Sequence, residues 1–278
     1  MSFIAAAFDF MYTYAYAELI NTSKFQYIKN QKGKKIDYAF YGSSRVVNHI
    51  NPIVIDSCLH RNSINFGTIG ATPKDIFTIL KLTDYYKIKV DSVFIQSDYY
   101  YNNIERSSFL YIEMLPYIRE NDIIKAYYLG ENDFAFLYYV PFYRYCRSDS
   151  KLGIRELLAS LMRNNDFEKN KGFLSQKGFG EKWQRELPKY IRNENVYNSK
   201  TIAFLKQRKY KYMFYIAPFR YDTKNIYYAS LLKKKYPEFW DFSTIIKEDK
   251  KFVNGYHLNE SGANDFSILF AAKIKEKQ

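Results

Sequence analysis

Two short stretches of the sequence hold the groups that acyl-transfer chemistry uses. Tyr41-Gly42-Ser43-Ser44-Arg45 places two hydroxyls and a guanidinium directly after an apolar run. Asn254-Gly-Tyr-His257-Leu-Asn259-Glu-Ser-Gly262-Ala263 places an imidazole just ahead of the last helical pattern. A serine hydroxyl is a weak nucleophile until a base takes its proton, and histidine is well matched to that task near neutral pH. A serine in a strand-to-helix turn sits where open α/β sheets place their sites, and the amides of a helix start favour an oxyanion. The same residues also make an ordinary helix cap, because Ser is favoured at N-caps and Gly-Ser pairs are common turn material. A lone histidine ahead of a helix is commonly a surface or structural residue. Residue types alone leave both readings open.

The elements around these stretches predict how they could meet. Residues 37–41 (DYAFY), 62–66 (NSINF) and 91–96 (DSVFIQ) read as three short buried strands. Helical patterns over 46–59 and 73–86 lie between them, the second with Pro73 at its first turn after Thr72. That alternation predicts βαβ units and a parallel sheet. Residues 99–209 lose the rhythm and read as a large, mainly helical or irregular insertion, helical for instance over 153–163. The pattern returns with a strand at 211–218 (KYMFYIAP), a helix near 225–236, a short strand near 239–242 and a last helix over 263–275. In that helix Phe266, Leu269, Phe270 and Lys273 recur at i, i+3, i+4 and i+7. The expectation is one domain over 1–278: a three-layer α/β/α fold with a parallel, flavodoxin-like sheet of about five strands. Residues 1–35 would form an N-terminal helix and connector, and the insertion would join strands three and four.

Composition narrows the classes. At 278 residues, 47% hydrophobic and 26% charged, the chain is neither disordered nor collagen-like. Two cysteines, Cys58 and Cys146, exclude a disulfide scaffold and a four-cysteine zinc site. Three histidines without an HExxH pattern exclude a zinc peptidase of that type. No metal or organic cofactor is expected. The formal net charge of +13 brings anionic partners into view. Basic clusters at 32–35 (KGKK), 206–213 (KQRKYKYM) and 233–239 (KKKYPEF) alternate with aromatics, as single-strand nucleic-acid binders do. They fall in different elements and no RNP-like, KH or zinc-finger pattern accompanies them, so solvated basic faces are expected and no nucleic acid.

The first twenty residues carry Asp9 and Glu18, lack a basic leader and show no small-residue cleavage site. They read as an amphipathic helix packing through Phe3, Ala6, Phe10, Tyr14 and Ala17 rather than as a membrane span. The lack of an export signal points to the cytoplasm.

Four blocks in order, YGSSR, NFGTIGAT, a strand ending IQSD, and NGYHLNESGANDFS, resemble those of the SGNH (GDSL-like) hydrolase superfamily. The likeness is to the branch whose first block reads Gly-Ser-Ser-Arg and whose members often accompany surface-polysaccharide genes. It covers roughly residues 36–98 and 210–275. The resemblance implies Ser44 as nucleophile, His257 as the base that takes its proton, and the amides of Ser44 and Gly70 as oxyanion donors. Each such donor is worth about 2.7–4 kcal/mol in the transition state. Many relatives are anchored by a membrane segment ahead of the first strand, which would make such a chain extracytoplasmic.

Two positions depart from the family pattern. The third block usually supplies an Asn to the oxyanion hole, where this sequence reads Gln96-Ser97-Asp98, so the expected hole uses Ser97, a backbone amide near Asp98, or two donors only. Asn132 in Gly130-Glu-Asn132-Asp133 is the alternative. Asn254 stands where the family has Asp; an amide can hold the imidazole tautomer but cannot stabilise the imidazolium by charge, and Asp241 could supply a carboxylate instead. Arg45 would either clamp an acidic substrate group or pair with a structural acid. The expected function is a serine esterase or O-acyltransferase acting on small acyl esters of a carbohydrate, with two rivals. One is an impaired carbohydrate-binding module of the same fold, the other a basic nucleic-acid-binding protein.

Overall fold

The computed structural model describes residues 2–20, 22–180 and 185–277. Five strands, β1 (Lys35–Tyr41), β2 (Ser63–Asn65), β3 (Lys89–Gln96), β4 (Lys211–Ile216) and β5 (Phe239–Asp241), form one sheet in the order β2-β1-β3-β4-β5. Every neighbouring pair is parallel. Parallel sheets need cover on both faces, and alternate side chains of these strands enter two separate cores. Ile36, Tyr41, Val93, Ile95, Phe214 and Ile216 pack on one face under the helix Pro73–Tyr85 and the insertion. Tyr38, Phe40, Phe94, Met213 and Tyr215 pack on the other, under the helices Pro52–Leu59 and Glu260–Lys275. Phe270 of the last helix anchors that second layer, its ring centroid 5.4 Å from Phe40, 5.2 Å from Phe94 and 4.9 Å from Tyr215. The fold is therefore a three-layer α/β/α sandwich. In this strand order, connections reverse direction between β1 and β3, and ligand crevices open beyond the carboxyl ends of the strands at such a point.

Helix boundaries differ from the sequence reading for local reasons. The helix expected over 46–59 is two pieces, Ser44–Val47 and Pro52–Leu59. Pro52 disfavours helical backbone at Asn51, which instead caps the second piece by accepting from the Ile53 amide at 3.1 Å. The helix expected near 225–236 contracts to Tyr228–Lys233 behind a left-handed Asn225 at φ 58°. The last helix starts earlier than expected, at Glu260, because Asn259 accepts from the Gly262 amide at 3.0 Å. The segment between β3 and β4 carries short helices from Ser108–Met114 onward, ending in Val196–Gln207, which packs on Pro73–Tyr85 through Phe204 and Phe77.

The N-terminal helix Ser2–Tyr14 forms, but rotated from the expected face. Asp9 pairs with Arg119 at 2.7 Å and with Arg144 at 2.9 Å, and accepts from the Phe142 amide at 2.8 Å. A buried carboxylate must be paired, and this one turns its side of the helix inward. Phe3 and Phe10 of the predicted packing stripe are left 89% and 72% exposed. No helix among the described residues is long and apolar enough to cross a membrane.

Candidate active site

The chain leaves β1 through Gly42 into a tight turn whose geometry the neighbouring strands dictate. A Cβ on Gly42 would lie 2.5 Å from Val46 Cγ2 and 2.7 Å from Gln96 Cβ, so only glycine fits. Ser43 donates its amide (3.0 Å) and its hydroxyl (3.1 Å) to Gln96 Oε1 at the end of β3, and its Oγ accepts from the Arg45 amide at 3.3 Å. The first serine is thereby a structural cap. Ser44 opens the helical turn, half-buried, at the carboxyl edge of the sheet.

His257 meets it. Ser44 Oγ and His257 Nε2 are 2.9 Å apart, within the reach that proton transfer needs. The loop that carries the imidazole is held from two sides. Asn254 Oδ1 accepts from the amides of Tyr256 (3.2 Å) and His257 (3.0 Å). His49 Nε2, fully buried behind the loop, accepts from the Leu258 amide at 3.1 Å, which leaves the His49 proton on Nδ1. The two imidazoles meet edge to face with centroids 6.0 Å apart.

The expected third member is absent from its expected role. The side-chain oxygen of Asn254 shapes the loop backbone rather than the ring. Asp241 is exposed at the end of β5 and accepts from the Ser243 amide at 2.9 Å. Among the described residues no carboxylate accepts from His257 Nδ1. Instead, burial first, then the positive charges of Arg45 and Arg185, bring the His257 pKa down to about 4. Burial, with Arg45 and His257 adding to it, pushes His49 well below the ordinary histidine value as well.

Gly70 lies on the β2–Pro73 loop, which is pressed against the nucleophile turn. Thr68 donates its amide to the Gly42 carbonyl at 2.9 Å, and a Cβ on Gly67 would strike Val46 at 2.6 Å. Asn65 fastens the same contact by donating to the carbonyls of Val46 (2.7 Å) and Ile50 (2.8 Å). Gly70 takes a left-handed φ of 67°, a conformation that glycine adopts without Cβ strain. The amides of Ser44 and Gly70 donate to no acceptor among the described residues.

Ser97 and Asp98 are spoken for. The Ser97 amide donates to the Tyr215 carbonyl at 2.8 Å, and its hydroxyl pairs with Tyr236 at 2.7 Å. Asp98 accepts from Arg45 Nη1 (3.2 Å), from the Gln96 amide group and from the Tyr100 backbone (3.0 Å). Neither side chain is an oxyanion donor. Of the two roles open to Arg45, pairing with a structural acid is the one realised. It is fully buried, donates to the carbonyls of Ala217 (2.8 Å) and Pro218 (2.6 Å), and stacks 3.6 Å above the Phe219 ring. It cannot clamp a substrate. Asn132 sits exposed in a turn of the insertion, between Glu131 and Asp133, which pair with arginines.

Two residues of the site escaped the sequence reading. His49 was one histidine among three, with no spacing to mark it. Arg185 lies in the irregular insertion, yet its guanidinium packs against both Tyr99 (4.1 Å) and Tyr256 (4.9 Å), close enough to the imidazole to act on it. Separately, the basic clusters that sequence separation set apart lead into β1, β4 and β5, at the sheet edge opposite Ser44. A separate cavity of about 540 Å³, lined by Tyr16, Ile20, Glu113 and Tyr117 among others, includes Phe109, whose ring edge lies 3.3 Å from where a Cβ on Gly70 would sit. No protein-family model matches this chain, and no curated protein matches it.

Proposed function

We propose that the protein is a serine esterase or O-acyltransferase of the SGNH type, acting on small acyl esters of a carbohydrate. The observation that carries this reading is the 2.9 Å contact between Ser44 Oγ and His257 Nε2 at the carboxyl edge of the sheet. Ser44 Oγ attacks the ester carbonyl while its proton passes to His257 Nε2, and the Ser44 and Gly70 amides receive the oxyanion. Collapse breaks the carbonyl–alkoxide bond, and His257 returns the proton to the departing sugar oxygen. Water or a second sugar hydroxyl then gives its proton to His257 and attacks the acyl-serine, restoring Ser44. The two acceptors share the first half-reaction.

The test is labelling by a fluorophosphonate probe together with hydrolysis of p-nitrophenyl acetate. Both should occur in the wild type, and Ser44→Ala should abolish labelling and lower turnover by about 10³-fold or more. Product partition with added sugar acceptors then separates transfer from hydrolysis. That no described carboxylate accepts from His257 Nδ1 favours one second reading, an impaired carbohydrate-binding module. A wild type that neither labels nor turns over but binds oligosaccharide would establish it.

A further inference from the structure

We propose that Arg185 is the substrate-recognition cation of this site and takes a carboxylate or phosphate group of the molecule that carries the ester. The inference rests on the Ser44–His257 reading for its chemistry and on separate observations for its geometry.

Most arginines near the site are committed. Arg45 is neutralised by Asp98, and Arg220 by Asp222 at 2.7 Å. Arg185 forms no ion pair and no side-chain hydrogen bond among the described residues, and its Nε is buried without a partner. Its position is nevertheless defined by an aromatic corner: the Tyr99 and Tyr256 rings stand nearly perpendicular, centroids 6.2 Å apart, and the guanidinium carbon lies 4.1 Å from the first and 4.9 Å from the second. Cation–π contacts of this kind orient a guanidinium without occupying its Nη donors, which can then take a planar or tetrahedral oxyacid. Tyr256 also packs against His257, ring centroids 4.5 Å apart, so the guanidinium and the proposed base share one aromatic neighbour. An open cleft of about 450 Å³ reaches Arg185 from the Tyr99 side, where Tyr100, Asn102, Asn103 and Glu186 also line it. The Glu186 carboxylate in it accepts from Asn225 at 3.3 Å.

The location also answers a difficulty in the chemistry. Among the described residues, the charged and titratable groups that face His257 are Arg45, Arg185, His49 and Tyr256, and none of them is a carboxylate. Imidazolium formation during proton transfer is therefore opposed by an unneutralised cation. A substrate anion at Arg185 removes that opposition at the moment the base must work. Arg185 thus selects anionic esters twice, by binding them and by easing their turnover.

The experiment compares three acetyl esters, 4-acetoxybenzoate, 4-acetoxyphenyl phosphate and neutral 4-acetoxybenzamide. The wild type should favour an anionic ester about tenfold or more in kcat/KM at low salt. Arg185→Gln should lose that preference to within about twofold, and Arg185→Lys should keep part of it. Whichever anion gains more identifies the source. Titration of the same three compounds into Ser44→Ala, with and without Arg185→Gln, reads the preference without turnover. If the wild type fails to label with fluorophosphonate yet Ser44→Ala keeps the Arg185-dependent preference, the esterase reading falls and the anion site stands. If labelling succeeds and no preference appears, or Arg185→Gln retains it, the anion site is wrong.

Discussion

Ser44 and His257, 213 positions apart in the chain, are joined by a 2.9 Å contact, and among the described residues no acid stands behind the imidazole. Most serine–histidine sites place a carboxylate at the far ring nitrogen to orient the ring and stabilise its cation. Here orientation comes from the backbone instead: Asn254 fixes the loop amides, and His49 holds the amide of Leu258. The positive charges of Arg45 and Arg185 then act against protonation of the ring.

This arrangement sets the pH dependence. With His257 brought to about 4, the neutral base persists well into acid, so the acid limb of kcat/KM should fall near pH 4. The reference value of about 6.5 would have placed it higher. A kcat/KM profile for p-nitrophenyl acetate checks this; a limb near 6.5 would mean that a negative group lies behind the ring. Stability carries the same signature. His257 and His49 both bind protons less readily folded than unfolded, so the unfolded chain takes up the excess protons. Their contribution is full above the unfolded value of about 6.5 and is lost as pH falls from there through the folded values. Urea denaturation should show stability dropping over that window.

Asn254→Asp tests whether the site is a degraded triad. The Asn254 oxygen serves two backbone amides, a task that a carboxylate performs equally well. The substitution should preserve the fold and raise kcat by less than about tenfold. An Asp paired with the ring would recover far more, since the Asp-to-Asn exchange in a true triad costs roughly 10⁴. Asn254→Ala, by contrast, should loosen the loop and lower kcat.

Arg45→Met should unfold more readily, not merely bind worse. Removing one partner of a buried ion pair leaves Asp98 uncompensated, at a cost of about 3–5 kcal/mol. Chemical denaturation measures it. Arg45→Met combined with Asp98→Asn should regain much of the loss, because the stranded charge is gone.

Gly42→Ala and Gly70→Ala should separate packing from backbone strain. At Gly42 the new methyl meets Val46 Cγ2 at 2.5 Å and Gln96 at 2.7 Å, so the nucleophile turn must shift. That should cost about 1–3 kcal/mol and most of the turnover. At Gly70 the nearest atom is Phe109 Cδ2 at 3.3 Å, and the φ of 67° contributes about 1–2 kcal/mol of strain. The melting temperature should fall further for Gly42→Ala.

Strand and helix periodicity was enough to specify the frame, a parallel sheet with helices on both faces. Local patterns such as Gly42-Ser43-Ser44 and Thr72-Pro73 also announce turns and helix starts, because they depend on neighbours within a few residues. Only the tertiary structure decided what Arg45, Ser97, Asp98 and Asn254 do, since each is set by partners on other strands or by the course of a loop. The same holds for His49 and Arg185, whose types were visible and whose places were not. It holds too for the N-terminal helix, where the Asp9 ion pairs overrode the apolar stripe. Periodicity records which side of an element is apolar; the pairing of buried charge is settled only when distant segments pack.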